Sequence, residues 1–499
     1  MVSIIVRQIV GEKETHINRR KEDMVLDHTY SVNYYFEEIA KIPHGSYHEE
    51  QIADYIVSIA KGHNLRYIRD ESHNVIVFKD ASLGYEDHEP LMLQAHMDMV
   101  CEKNNDSDHD FDNDPLSLYV EDGYIHARGT TLGADDGYGV CYMLALLTDE
   151  NAKHPPLECV FTVQEEVGLC GAMALDTSEL KAKRMISMDS ETEGETCTSS
   201  SGGNDVLITK PIIGEENYSP VYVLEIKGLL GGHSGACIDK ARANANKLAA
   251  RMLFHFLKNG IDVRLIDITG GLKNNAIPRE CRVVFASSSD KDYIYHIASD
   301  LEEKIKNELV INDPGVEILM YEDECDICIS SKDSEAIINI MYLAMNGLIE
   351  KSQVISDLTT VSLNMGVIRT LENSLTIDYS LRSPIKSIRD EMVNQLELVA
   401  SLFNAYIEVS NDYPGWDYDP HSKMRQALKD FYYQHTHQQL REVATHGGLE
   451  TGVFKGKIPE LDIVTLGPNM ADIHTPDERM SVESFVKTYE LIKAFIETL

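Results

Sequence analysis

Two adjacent carboxylates, Glu165 and Glu166, follow an apolar run, Val160-Phe161-Thr162-Val163, that reads as a buried strand. In an open α/β sheet, ligands collect beyond the carboxyl ends of the strands, where one acid of such a pair can bind metal while its neighbour moves protons. Other apolar runs end the same way: Pro90 to Ala95 leads into His96-Met97-Asp98, Met185 to Met188 delivers Asp189, and Ile463 to Leu466 leads through Gly467-Pro468 to His474. Asp135 falls in a strand-to-helix turn, Gly129 to Gly137, near a helix N-terminus that favours negative charge. His96, Asp135, Glu166, Asp189 and His474 thus offer two imidazoles and three carboxylates on one predicted rim, a donor set suited to zinc, cobalt or manganese. These ligands exceed what one open catalytic site needs and fit two divalent ions bridged by a carboxylate. Asp98, two residues beyond His96, can accept a hydrogen bond from the ring nitrogen turned away from the metal and fix the tautomer.

The elements that must position these residues alternate between helix and strand. Val32, Tyr35, Phe36 and Ile39, then Ile52, Tyr55, Ile56 and Ile59, fall at helical spacing, and strands follow at Asn74 to Phe78 and Pro90 to Ala95. A helix carrying Val140, Met143, Leu144 and Leu147 comes after the Asp135 turn. The pattern predicts an α/β catalytic domain, with a mixed, mostly parallel sheet flanked by helices, over residues 28–201 and 413–499. Residues 1–27 read as a loosely held extension, and 202–412 as an inserted α+β lid domain. The insert runs β-α-β-β-α-β from Val221 to Met320, and the order repeats from a strand near Ile327 to one at Tyr406 to Val409, which predicts a duplicated unit.

At 499 residues the chain is long enough for two cores. Asp+Glu 82 against Lys+Arg 45 gives a formal net charge of -37, which argues against nucleic acid and anionic membrane as partners. The apolar stretch Val2 to Val10 is broken by Arg7 and Gln8 and lacks the form of a signal peptide, and no segment approaches the ~20 apolar residues of a membrane span. Nine scattered cysteines suit reduced thiols of a cytoplasmic protein, and Cys325-x-x-Cys328 has no second pair at zinc-site spacing, so ordinary strand residues are expected there.

His96-Met97-Asp98, Gly133 to Gly137, Gln164 to Gly168, Met188 to Glu191 and Asp472 to Pro476 resemble, in order, the signature of the zinc-dependent aminopeptidase, carboxypeptidase and dipeptidase family with co-catalytic metals. Ile42 to Glu50, Gly231 to Gly235, Asn275 to Glu280 and His446 to Glu450 resemble its aminoacyl-histidine dipeptidase branch, also called peptidase D. The resemblance implies Asp135 as bridging ligand, His96 and Asp189 on one metal, Glu166 and His474 on the other, and a cis Asp135-Asp136 peptide. It implies Glu165 as the general base that takes the proton of a water between the metals to give the attacking hydroxide, Asp98 as support for His96, and His233 as a lid donor to the oxyanion, reaching into a neighbouring subunit's site. Asn275, Arg382 and Gly448 are the candidates for holding the substrate, Arg382 because its fork matches a terminal carboxylate. The implied protein is a cytoplasmic, homodimeric metallopeptidase acting on small peptides. The alternatives are a tripeptide aminopeptidase or N-acyl amino acid deacylase on the same scaffold, or a metal-binding protein without catalysis, against which Glu165 speaks because ligands alone would suffice to bind metal.

Overall fold

The computed structural model describes residues 24–356 and 358–499. These form two compact units: the chain up to Thr198 with Tyr418–Val443 and Val453–Leu499, and Ser199–Asp417 with Ala444–Gly452. The predicted extension lies outside the described residues as far as residue 23, but Leu26 is buried and the amides of Val25 and Leu26 both donate to Glu37, so packing of the first unit begins there.

The first unit is built on a six-stranded sheet. Its strands are β1 (Arg66–Arg69), β2 (Val75–Lys79), β3 (Leu91–His96), β4 (Leu157–Thr162), β5 (Arg184–Ser187) and a last strand, Asp462–Thr465, in the order β1-β2-β4-β3-β5-Asp462–Thr465. The two pairings at the β1 end are antiparallel and the other three parallel, so the sheet is mixed and mostly parallel. Every residue of β3 and β4 is buried, as parallel strands covered on both faces require. Helices α1 (Ser31–Ile39) and α2 (Glu50–Gly62) present the apolar faces expected from their spacing. Helix α3 (Ala134–Thr148) is buried on nearly all sides, with Tyr138, Tyr142 and Leu146 all in the core. The parallel register, with His96 opposite Thr162 and Gln94 opposite Ser187, brings the carboxyl ends of β3, β4 and β5 to one rim.

The second unit holds a nine-stranded antiparallel sheet. Along the chain its main strands are β6 (Gly202–Pro211), β7 (Val221–Lys227), β8 (Arg264–Gly270), β9 (Cys281–Ala286), β10 (Glu317–Asp323), β11 (Thr359–Thr370), β12 (Ser374–Ser383) and β13 (Tyr406–Tyr413), ordered β10-β7-β9-β8-β11-β12-β6-β13, with Gly347–Lys351 also paired to β11. Two β-α-β-β-α-β units are present, meeting where β8 pairs with β11, and their strand orders mirror each other. The expected start of the second repeat needs correction. Among the described residues the strand Ile327–Ile329 pairs only with Gly214–Glu216, and the first strand of the second repeat is β6, which precedes the whole first repeat. The repeats are therefore nested rather than in tandem, because β6 and not the Ile327 segment carries the long run that a central strand needs. Cys325 precedes that short strand and Cys328 lies within it, and both are free thiols.

Candidate active site

The rim of the first unit gathers four of the predicted ligands. His96 is the last residue of β3, Glu166 follows β4, and Asp135 enters α3 through a non-helical backbone (φ -83, ψ 111) after a cis Asp135-Asp136 peptide is counted into the turn. One ligand atom from each of these three lies within 4.8 Å of the others. His474 joins them, its Nε2 2.9 Å from Glu166 Oε1 and 3.3 Å from Asp135 Oδ2, while His96 Nε2 lies 3.3 Å from Asp135 Oδ1. Each oxygen of Asp135 thus faces a different imidazole. Asp189 stands two residues past β5, in a turn held by Tyr138, whose hydroxyl donates to the Ser190 carbonyl and accepts from the Ser190 amide.

The electrostatics follow from crowding charge at the edge of a core. Burial disfavours a charged His96, but hydrogen bonds to Asp135 and Asp98 and the charge of Glu165 outweigh it and raise its pKa well above the usual range. His474 is pushed up to about 10 by its bonds to Asp135 and Glu166. Burial and the neighbouring charge of Asp135 push Asp189 the other way for a carboxylate, up to about 7. The nitrogens of His96 and His474 and the oxygens of Asp135 and Glu166 converge on one another and are the donor types that divalent cations take, with the Asp189 carboxylate in the neighbouring turn.

Asp98 does more than support His96. The His96 Nδ1 proton meets the Asp98 backbone carbonyl at 3.0 Å, whereas carboxylate Oδ1 is 3.6 Å away. That carboxylate is taken up elsewhere: it accepts from the amides of Glu165 (3.0 Å) and Glu166 (3.3 Å) and from the Ser46 hydroxyl (2.8 Å). Asp98 thus meets the site twice, its main-chain carbonyl at the His96 ring and its carboxylate both beside that ring and at the amides of the acid pair. Glu49 continues the pattern by accepting from the Gln164 amide at 3.1 Å. The sequence reading passed over Glu49, Asp136 and Glu478. Asp136 is fully buried and accepts from the His96 amide, and only its place beside Asp135 hinted at such a role.

The remaining candidates lie in the second unit. His233 pairs with Ala276 across a two-residue bridge that needs Gly232 at φ 135, a backbone open to glycine. Its Nδ1 accepts from the amides of Gly235 and Ala236, both at 3.2 Å, so the ring proton sits on Nε2. Asn275 is exposed, and its carbonyl accepts from the Ser234 amide at 2.8 Å. Arg382 is only 8% exposed and meets the Tyr413 hydroxyl at 3.2 Å and the His446 carbonyl at 3.5 Å. Its Nε has no partner among the described residues. Gly448 lies in the Ala444–Gly452 segment grouped with this unit. His446, pushed down to about 3 by burial and the charge of Arg382, is neutral and bonds Ser362 at 2.7 Å.

The mixed α/β unit thus carries a clustered His/Asp/Glu rim of donor types that can hold a divalent metal. Residues 92–498 match the model of peptidase family M20/M25/M40, and the chain belongs to that family. It is 37% identical over 470 residues to the cytosol non-specific dipeptidase of Escherichia coli, covering 93% of this chain and 96% of that protein. Among solved structures it is similar to the aminoacylhistidine dipeptidase of Vibrio alginolyticus, at a TM-score of 0.88 and 36% identity over 94% of this chain and 96% of that one. The aminopeptidase PepT of Bacillus cereus shares the fold, at a TM-score of 0.55 and 18% identity over 95% of this chain and 99% of that one.

Proposed function

We propose that this protein is a dipeptidase of broad or aminoacyl-histidine preference that works with two divalent ions, zinc in the first instance. The observation that carries the reading is Asp135, whose two oxygens face His96 on one side and His474 on the other, the arrangement a bridging ligand requires. His96 and Asp189 would hold one ion, and Glu166 and His474 the other. When bound, the ions lower the pKa of a water and polarise the scissile carbonyl. Glu165 takes the proton from that water and returns it to the departing amine. Asp98 fixes the main chain of Glu165, so the base is presented at a constant angle. The second unit, read as a lid, supplies the His233 Nε2 proton to the oxyanion, from this chain or from a second copy in a homodimer. Arg382, with Asn275 and Gly448, receives the terminal carboxylate, and a buried guanidinium with unspent donors supports that role. Among the described residues no helix is long and apolar enough to cross a membrane, and we place the enzyme in the cytosol.

The test is a release assay on a panel of dipeptides with free and blocked termini after reconstitution with zinc, cobalt or manganese, paired with elemental analysis. Cleavage confined to free dipeptides, with two ions per chain, is expected. One ion per chain at saturation, with Asp135→Ala retaining it, overturns the bridged pair.

A further inference from the structure

The loop that delivers Asp135 makes no local cap. Helix α3 has Gly133 at its N-cap, which has no side chain to bond the first turn, and Gly133 itself sits at φ 66. A Cβ there would fall 2.9 Å from Met99 Sδ, so the backbone is pressed against its neighbours. Four successive amides, Leu132 to Asp135, nevertheless find an acceptor: the carboxylate of Glu478, more than three hundred residues away. Oε2 accepts from Leu132 at 2.7 Å and Gly133 at 3.1 Å, and Oε1 from Ala134 at 2.9 Å and Asp135 at 3.4 Å. Glu478 is 2% exposed, and every bond it makes here is to main chain.

We propose that Glu478 is a positioning residue for the metal site, fixing the Leu132-Gly133-Ala134-Asp135 main chain so that both oxygens of Asp135 are presented to the two sides of the site. The inference rests on the reading of Asp135 as a ligand given above. A carboxylate has acceptor capacity for four donors, and here all four come from one stretch of backbone converging on one anion, as at a helix N-terminus. Released from Glu478, the Asp135 amide loses an acceptor at the point where the chain turns into α3. Glu478 also lies four residues past His474, so a single segment carries one ligand and grips the loop of another.

Glu478→Gln keeps size and shape but puts an amide NH2 against two of the four donors. The measurements are calorimetric titration of the metal-free protein with Zn2+, steady-state kinetics at saturating Zn2+, and hydrogen exchange of the 132–135 amides. Expected are Zn2+ affinity and kcat each lowered by about 10-fold or more, the scale seen when groups behind metal ligands are removed, with KM within about threefold. Glu478→Asp, one methylene shorter with its charge intact, should fall between Gln and wild type. A merely structural role would lower Tm while leaving the Zn2+ affinity of the folded protein unchanged, and that result overturns the proposal. Should the Gln variant not fold, wild-type exchange decides: amides 132–135 protected by about 10²-fold or more in the metal-free protein support the clamp, and exchange at the unprotected rate refutes it. Failure of wild type to bind Zn2+ at all would instead strike the reading of the site, which the exchange data do not depend on.

Discussion

The two units differ in the buried polar side chains that stand near their candidate residues. In the first, the buried charges near the rim are carboxylates: Glu49, Asp98, Asp136 and Glu478, bonded mainly to main-chain amides. In the second, buried carboxylates such as Asp313 and Asp333 stand beside buried donors. Arg382 and Arg389 give their protons to carbonyls, and Asn364 donates to the carbonyls of Asn274 and Ala276, bracing the loop that carries Asn275. An interior rich in anions favours cations at its surface, and one rich in buried guanidinium favours anions. Under the proposed reading, the first unit serves metal-assisted attack at the peptide bond and Arg382 of the second serves recognition of a carboxylate.

The largest effect that can break this contrast is expected within the first unit. Glu165→Gln should retain both metals by elemental analysis while lowering kcat by at least ~10²-fold, the low end for general acid–base catalysis. Glu166→Gln should instead weaken metal binding before it alters chemistry. Loss of a metal from Glu165→Gln, or near-normal turnover, reverses the assignment of roles within the pair.

Arg382→Lys tests the other half. The charge survives but the fork does not, so kcat/KM for free dipeptides should drop by about 10-fold, equivalent to ~1.4 kcal/mol, with little change for amidated ones. Equal losses on both substrates would make the residue a part of the lid's packing and nothing more.

A smaller effect sharpens the comparison through an exception. Lys210 and Asp333 form an ion pair in the second unit at 2.7 Å, with both residues buried. Burial raises the Asp333 pKa, but Lys210 and Ser330 overcome it and leave it below the usual value. Because the folded pKa is depressed, the stability it brings is present above the unfolded carboxyl pKa and is lost as pH falls through the folded one. Asp333→Asn should therefore destabilise the protein by about 1–3 kcal/mol at neutral pH in urea unfolding, with the gap to wild type closing in acid. Smallest of all, Glu308→Gln removes an exposed partner of Arg251 on the helices of that unit, and should move the same midpoint by under about 1 kcal/mol.

Much of the fold and of the metal cluster was legible because both are written in local pattern. Apolar runs mark β3, β4 and β5, and the polar residue that ends each run stands at the rim wherever the sheet is parallel. Glu478 left no such mark. Its partners are main-chain amides 343 to 346 residues away, and an amide has no residue type to be read. The same holds for Glu49, seen as part of a recognisable stretch but not as the acceptor for Gln164. The start of the second repeat was misread for a related reason: periodicity shows that a segment is a strand but not which strand it joins.

That nested order has a consequence for how the chain comes to be folded during synthesis. The first repeat, β7 to β10, is one continuous piece and can close as soon as it has emerged. β6 emerges before it, yet its two neighbours in the sheet, β12 and β13, begin only at Ser374 and Tyr406. Until then a ten-residue strand waits with both edges unpaired, the condition under which nascent chains associate wrongly. The ribosome thus completes one half of the second unit while the other half exists only as a single unmatched strand, and the interval between the two is set by the speed of translation.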